Sequence, residues 1–155
     1  MNYWLFKSEP EAFSIDDLIA RPKKTEPWDG VRNYQARNML RDDVKKGDRV
    51  FFYHSNCKVP GIVGVMEVVK SGYPDVTAFD PESKYYDPKS TTDNPRWYRV
   101  DVKFVEKYDE VISLECLKHV SALENMPLVR KGNRLSIMPV TKKEWDSITQ
   151  LLNEE

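Results

Sequence analysis

The sequence predicts a single α+β domain, a small curved sheet or barrel with three or four helices packed outside it. Three observations lead there. The chain has 155 residues, enough for one ordinary core and too few for two. Short β-rich runs recur along its whole length, separated by turn residues and by helix starts that carry their own caps. No internal repeat and no long Gly/Ser linker divides it, so residues 1–155 read as one domain.

The elements follow in order. Asn2 to Lys7 is aromatic-rich and stops at Ser8-Glu9-Pro10, as a first strand would. Ser14 with Asp17 three residues on caps a short helix through Ile15, Leu18 and Ile19, which Pro22 ends. Residues 21–27 read as a polar loop. Tyr34 to Asp43 fits a helix with an apolar stripe (Tyr34, Ala36, Met39, Leu40) and a basic one (Arg37, Arg41). Lys46-Gly47-Asp48 is a turn, Arg49 to His54 a buried strand, and Ser55 to Pro60 a loop. Gly61 to Lys70 is a further strand, where Gly61 and Gly64 imply a bulge or another backbone close by. Tyr73 to Pro95 is a long Pro- and Asp-rich loop, a length that is usually functional or disordered. Trp97 to Glu106 alternates as a strand, with Tyr98, Val100, Val102 and Phe104 on one face. Val111 to Leu117 is a strand or short helix, and Arg134 to Pro139 a last strand. Thr141 with Glu144 forms a capping box that opens a C-terminal helix through Trp145, Ile148 and Leu151-Leu152.

Composition narrows the function. A hydrophobic share of 40% and a charged share of 32% suit a soluble globular chain. The net charge of -1 gives no sign of the basic excess that duplex binding through phosphates requires, so a nucleic-acid ligand would need a local patch or a base pocket. Cys57 and Cys116 have neither metal-ligand spacing nor a disulfide framework, and the start MNYWLFKSEP is not a signal peptide. A reducing compartment, cytoplasmic or nuclear, is the natural expectation. No apolar run is long enough to span a bilayer.

Chemistry-bearing patterns are few. His54 and His119 are far apart and neither has a second zinc-type ligand nearby, so no metal is expected. His54 and Cys57 lie three apart, but no third residue orients them and no nucleophile elbow is present. Glycine-rich phosphate loops are absent, and no cofactor is expected. What stands out are aromatic rings beside short polar groups at element ends: Lys7-Ser8-Glu9, Trp28 to Tyr34, Tyr53 to Asn56, and Arg134 to Ser136. A planar base needs a face to stack on and groups to read its edge. Trp28 offers the face; Ser8, Asn33, His54, Ser55 and Ser136 offer polar groups; Glu9 and Asp29 accept only when ionised. The plainer reading is a core Trp28 with Gly30 in a turn before a helix, and composition alone favours it. Arg32, Arg37 and Arg41 are either a solvated helix face or a phosphate-contacting patch.

At these same segments the sequence resembles the EVE-domain family. The matching stretches are Trp4 to Pro10, Trp28 to Arg41, Phe51 to Asn56, Pro60 to Gly64, Tyr73-Pro74-Asp75, Tyr86-Asp87-Pro88, Asn94 to Trp97, Val100 to Phe104 and Arg134-Leu135-Ser136. The resemblance implies a PUA-like fold, a curved, mostly antiparallel sheet or pseudo-barrel with surrounding helices. It is similar in architecture to YTH domains, which read N6-methyladenosine, and to SRA domains, which hold a flipped modified cytosine. It further implies a binding module for a modified nucleobase in DNA or RNA, without catalytic residues. The pocket would comprise Lys7, Ser8, Glu9, Trp28, Asn33, Tyr53, His54, Ser55, Trp97, Arg134 and Ser136. Arg32 and Arg37 would contact phosphates or form structural ion pairs. The second aromatic wall falls in the loop from Tyr73 to Trp97, with Tyr85, Tyr86 and Trp97 as candidates. Two other readings stay open: a hydrolase acting on nucleic acid or nucleotide, with His54 or Glu9 as base, and a protein-interaction domain.

Overall fold

The computed structural model describes residues 1–130 and 135–153. Its strands are β1 (Tyr3–Ser8), β2 (Thr25–Trp28), β3 (Arg49–His54), β4 (Gly61–Pro74), β5 (Tyr98–Ser113) and β6 (Ile137–Val140). The helices are α1 (Ile15–Ala20), α2 (Tyr34–Asn38), α3 (Leu114–Lys118) and α4 (Lys142–Gln150). The strands form one open sheet in the order β2-β5-β4-β3-β1-β6. Every pairing is antiparallel except that of β1 with β3, which runs parallel from Tyr3 beside Arg49 to Ser8 beside His54. The architecture is the α+β, PUA-like one expected, with the sheet left open.

Alternation along β1 and β3 gives the sheet two apolar faces. Trp4, Phe6, Val50 and Phe52 point to one, where Ile15 and Leu18 of α1 and Ala36 of α2 cover them together with Trp28. Leu5, Phe51 and Tyr53 point to the other, beneath Leu117 of α3 and Trp145 and Ile148 of α4. Side-chain period 2 therefore decides which residues of one strand can share a site.

Local chemistry explains most boundaries. Ser14 and Thr141 each accept from the residue three places on, and Asp17 and Glu144 return the bond. Asn33 caps α2 by accepting from the Ala36 N–H at 3.0 Å. The helix expected over residues 34–43 holds its α geometry only through Asn38. It then widens into a π-turn over Met39–Asp43, closed by Val44 N–H to the Met39 carbonyl at 2.8 Å. The β4 register shifts between Ile62 and Gly64, as the glycines implied. A Cβ on Gly61 would run into the Ile112 carbonyl, and one on Gly64 into that of Glu106.

Two expectations need correction. Residues 25–28, expected to end a loop, form edge strand β2 against β5. Pro27 has no N–H to offer a ladder and disguised the strand, but an edge accommodates it. The strand expected to end at Lys70 runs on to Pro74, and within the long loop Val76–Phe79 make a 3-10 turn capped by Asp75. Residues 111–117 divide between the end of β5 and α3.

Candidate functional site

Where β1 and β2 end, beside the loop entering α2, lies a cavity of about 510 Å³. Its wall comes from Lys7 and Ser8 at the end of β1, Glu9 after it, Ala12 and Phe13 before α1, Arg21 after it, Glu26 to Arg32, Lys84 and Tyr85, and Ser136 before β6. Of the expected pocket residues, Lys7, Ser8, Glu9, Trp28 and Ser136 meet there, and Arg32, expected as a phosphate contact or ion pair, lines it too.

Trp28 is both wall and core. It is 7% exposed and packs edge-on against Phe13 and Phe52 and tilted against Phe6. The exposed part of the indole is small. The indole N–H groups of Trp4 and Trp97 donate to Asp48 at 2.9 Å and Asp87 at 2.7 Å, whereas that of Trp28 finds no acceptor among the described residues.

The aromatic from the long loop is Tyr85. Its ring lies where a Gly30 side chain would be: a Cβ on Gly30 would stand 2.5 Å from Tyr85 Cζ, and Gly30 has φ +76°. The Arg32 guanidinium sits 5.5 Å and the Lys84 ammonium 5.0 Å from the ring centre, and Arg32 Nη2 donates to the Tyr85 carbonyl at 2.6 Å. Tyr86 is exposed and does not line the cavity.

Beneath this arrangement lies Asp75, fully buried. It accepts from Gly30 N–H at 2.9 Å, Arg32 Nη1 at 3.2 Å, Thr77 N–H at 2.9 Å and Thr77 Oγ1 at 2.5 Å. Burial works to raise its pKa, but the bonds from Thr77, Gly30 and Arg32 outweigh it and hold the carboxyl below its ordinary value. Asp75 thus fastens the long loop to the Asp29-Gly30 turn. Sequence reasoning missed it as a functional residue, although Tyr-Pro-Asp at 73–75 belonged to the family resemblance.

The other expected residues serve the scaffold. Asn33 is a helix cap and does not line the cavity. Tyr53 points to the opposite face, where burial pushes its hydroxyl up to about 12. Lys7 touches the cavity, but its ammonium lies 5.6 Å from the Tyr53 ring centre on that same far side. His54 Nε2 accepts the Ile15 N–H at 3.1 Å and does not line the cavity, and burial lowers its pKa. Ser55 is joined to the end of β1 through its N–H to the Ser8 carbonyl. Trp97 stacks on Tyr34 behind Arg32 and stays out of the cavity. Arg32 pairs with Asp75, and Arg37 donates to the Arg96 carbonyl at 2.8 Å and to Asn38. Arg134 lies outside the described residues. No grouping of His, Cys, Asp and Glu suited to a metal occurs among the described residues, and no described helix is long and apolar enough to cross a membrane.

An open, mixed sheet with helices on both faces and a cavity at the strand ends defines a PUA-like α+β protein. The chain belongs to the EVE domain family, whose model matches residues 2–151. It is 50% identical to mouse thymocyte nuclear protein 1 over 171 aligned residues, which cover 99% of this chain and 75% of the relative. Among solved structures, human THYN1 protein in complex with DNA containing 5-methylcytosine superposes with a TM-score of 0.94 at 48% identity, over 100% of this chain and 99% of that one. A Pseudomonas syringae protein does so at 0.92 and 52%, over 97% and 99%. A Zygosaccharomyces rouxii YTH domain, solved with N6-methyladenosine RNA, shares the fold at a TM-score of 0.53 and 13% identity, over 99% and 87%.

Proposed function

We propose that this protein binds a modified nucleobase, presented by DNA or RNA, in the cavity between Trp28 and Tyr85. The observation that carries this reading is the cavity itself, large enough for a base and bounded by two aromatic side chains. A relative with nearly half its residues identical has been crystallised with 5-methylcytosine DNA, which supports the same class of ligand here. The base would leave its stack to enter, because a pocket of this kind cannot read a base inside a duplex. Phosphates flanking it would meet the cations that line the cavity, Arg21, Arg32 and Lys84, rather than Arg37. We read the activity as binding without turnover. His54, one candidate general base, accepts the Ile15 amide and does not line the cavity.

The test measures binding of oligonucleotides carrying one 5-methylcytosine in DNA or one N6-methyladenosine in RNA against their unmodified counterparts. Variants Tyr85→Ala and Trp28→Phe are compared with the wild type. Trp28→Ala is unsuitable, since truncating a buried Trp costs about 3–5 kcal/mol of stability. The expected result is tighter binding of one modified strand, weakened several-fold by each variant. Equal binding of all strands, unaffected by either variant, would sink the reading.

A further inference from the structure

Several hydrogen-bonding groups on the cavity wall are already engaged, while Lys84 and the Trp28 indole N–H have no hydrogen-bond acceptor among the described residues. The Ser8 hydroxyl spends its hydrogen on the Phe13 carbonyl at 2.6 Å, so only lone pairs remain to it. Arg32 is held by Asp75 and the Tyr85 carbonyl, and the Gly30 N–H is spent on Asp75. Arg21 holds Glu26 at 2.6 Å. The Lys7 ammonium is on the other side of the sheet.

Asp29 differs from all of these. Its carboxylate accepts no hydrogen bond from another residue among the described residues, and its nearest cation, Arg99 Nη1, stands 3.6 Å away. Its side chain is 30% exposed and lines the cavity. Its position is nonetheless fixed, because the next residue is pinned by Asp75 and covered by the Tyr85 ring. Asp29 is therefore a preorganised acceptor with spare lone pairs beside Trp28. A base with an exocyclic amino group can donate to it. An oxo group at the same place would set its own lone pairs against a carboxylate.

Resting on the base-pocket reading, we propose that Asp29 is a specificity-determining acceptor, selecting bases with an exocyclic amino group, of cytosine or adenine type, over oxo bases. Burial, with Asp75 close by, pushes the Asp29 carboxyl upward, an unfavourable state that a donated N–H relieves.

5-Methylcytosine and thymine share the methyl group but differ both at the exocyclic amino or oxo group and in the hydrogen on N3, so an analogue that lacks only the amine isolates the effect. The experiment measures affinity for matched DNA strands carrying 5-methylcytosine, thymine or 5-methylpyrimidin-2-one, which keeps the methyl and lacks the amine. Wild type and Asp29→Asn are compared, with thermal melting to confirm folding. Wild type is expected to favour 5-methylcytosine over both analogues by about tenfold or more, the scale of a good base-edge contact. Asp29→Asn should bring 5-methylcytosine and thymine within about twofold of each other, since an amide can donate to an oxo group. If wild type binds all three bases alike while still losing affinity in Tyr85→Ala, the amine proposal is overturned and the pocket reading stands. A tenfold preference kept by Asp29→Asn overturns the role of Asp29. No binding of any of these strands, nor of the N6-methyladenosine RNA above, overturns both. The two analogues act on wild-type protein, so this arm holds even if the variant does not fold.

Discussion

Replacing Asp75 by Ala tests the framework on which the site depends. The residue is fully buried and receives four hydrogen bonds from three residues, one of them the Arg32 guanidinium. Its removal strands the Gly30 and Thr77 amides and breaks a largely buried ion pair, a loss of about 3–5 kcal/mol. Arg32 keeps the carbonyls of Tyr85 and Val31 and is 24% exposed, so the lower part of that range is expected, about 3–4 kcal/mol. For a chain of this size that is a fall in Tm of about 6–16 °C. Urea unfolding followed by tryptophan fluorescence measures it, with an unchanged m-value showing that the native state stays compact. Asp75→Asn should lose less, because one oxygen remains. A cycle with Arg32→Ala should show a coupling of about 1 kcal/mol or more. A loss below about 1 kcal/mol in Asp75→Ala, or strict additivity with Arg32→Ala, would refute the reasoning. The pH dependence follows in sign. The folded carboxyl lies below its unfolded value of about 3.9, so its stabilisation is present above that pH and disappears as pH falls through the folded value. Asp75→Asn should unfold with a shallower dependence on acid.

Three further outcomes are expected. Gly30→Ala meets the Tyr85 ring at a positive φ and should cost about 2–4 kcal/mol; adding Tyr85→Ala should recover the steric part and leave the backbone part. Burial lowers the His54 pKa, so as pH falls below about 6.5 the unfolded chain takes up a proton that the folded chain resists, and stability drops. His54→Gln should flatten the urea midpoint between about pH 7.5 and 5.5, since the exposed His119 remains in both proteins. Thr141→Ala removes one capping box far from the cavity and should cost about 1 kcal/mol without changing oligonucleotide affinity.

Period and capping made the scaffold legible. The strand Arg49–His54 has the bounds its composition suggested, and both capping boxes formed where Ser14 and Thr141 placed them. Trp28, Ser8 and Glu9 were recognisable as wall residues because polar groups beside rings at strand ends converge there. What could not be read is how each polar group is spent. Asn33 and His54 have the chemistry of edge readers, yet each is taken by an amide, Ala36 beside it in sequence and Ile15 far from it. Lys7 and Tyr53 fail as edge readers for the sake of one place in the strand alternation, which turns both to the far face. Asp29 was recognisable as an acceptor but not as one left without a bond from another residue, and Asp75 owes its role to burial created by a distant turn.

The position of β1 between β3 and β6 has a kinetic consequence. Tyr3 pairs with Val140, and Ser136 completes a cavity whose other walls are in place by Tyr85. A chain emerging from a ribosome would expose the β6-facing side of β1 until nearly the whole sequence had been made. Such distant pairing implies slow closure, and the waiting strand is the place where a nascent or truncated chain would recruit a stray neighbour. A ligand that enters at this junction would act as a clamp on it, so occupancy should slow the release of β6 and appear in hydrogen exchange as protection at both ends of the chain.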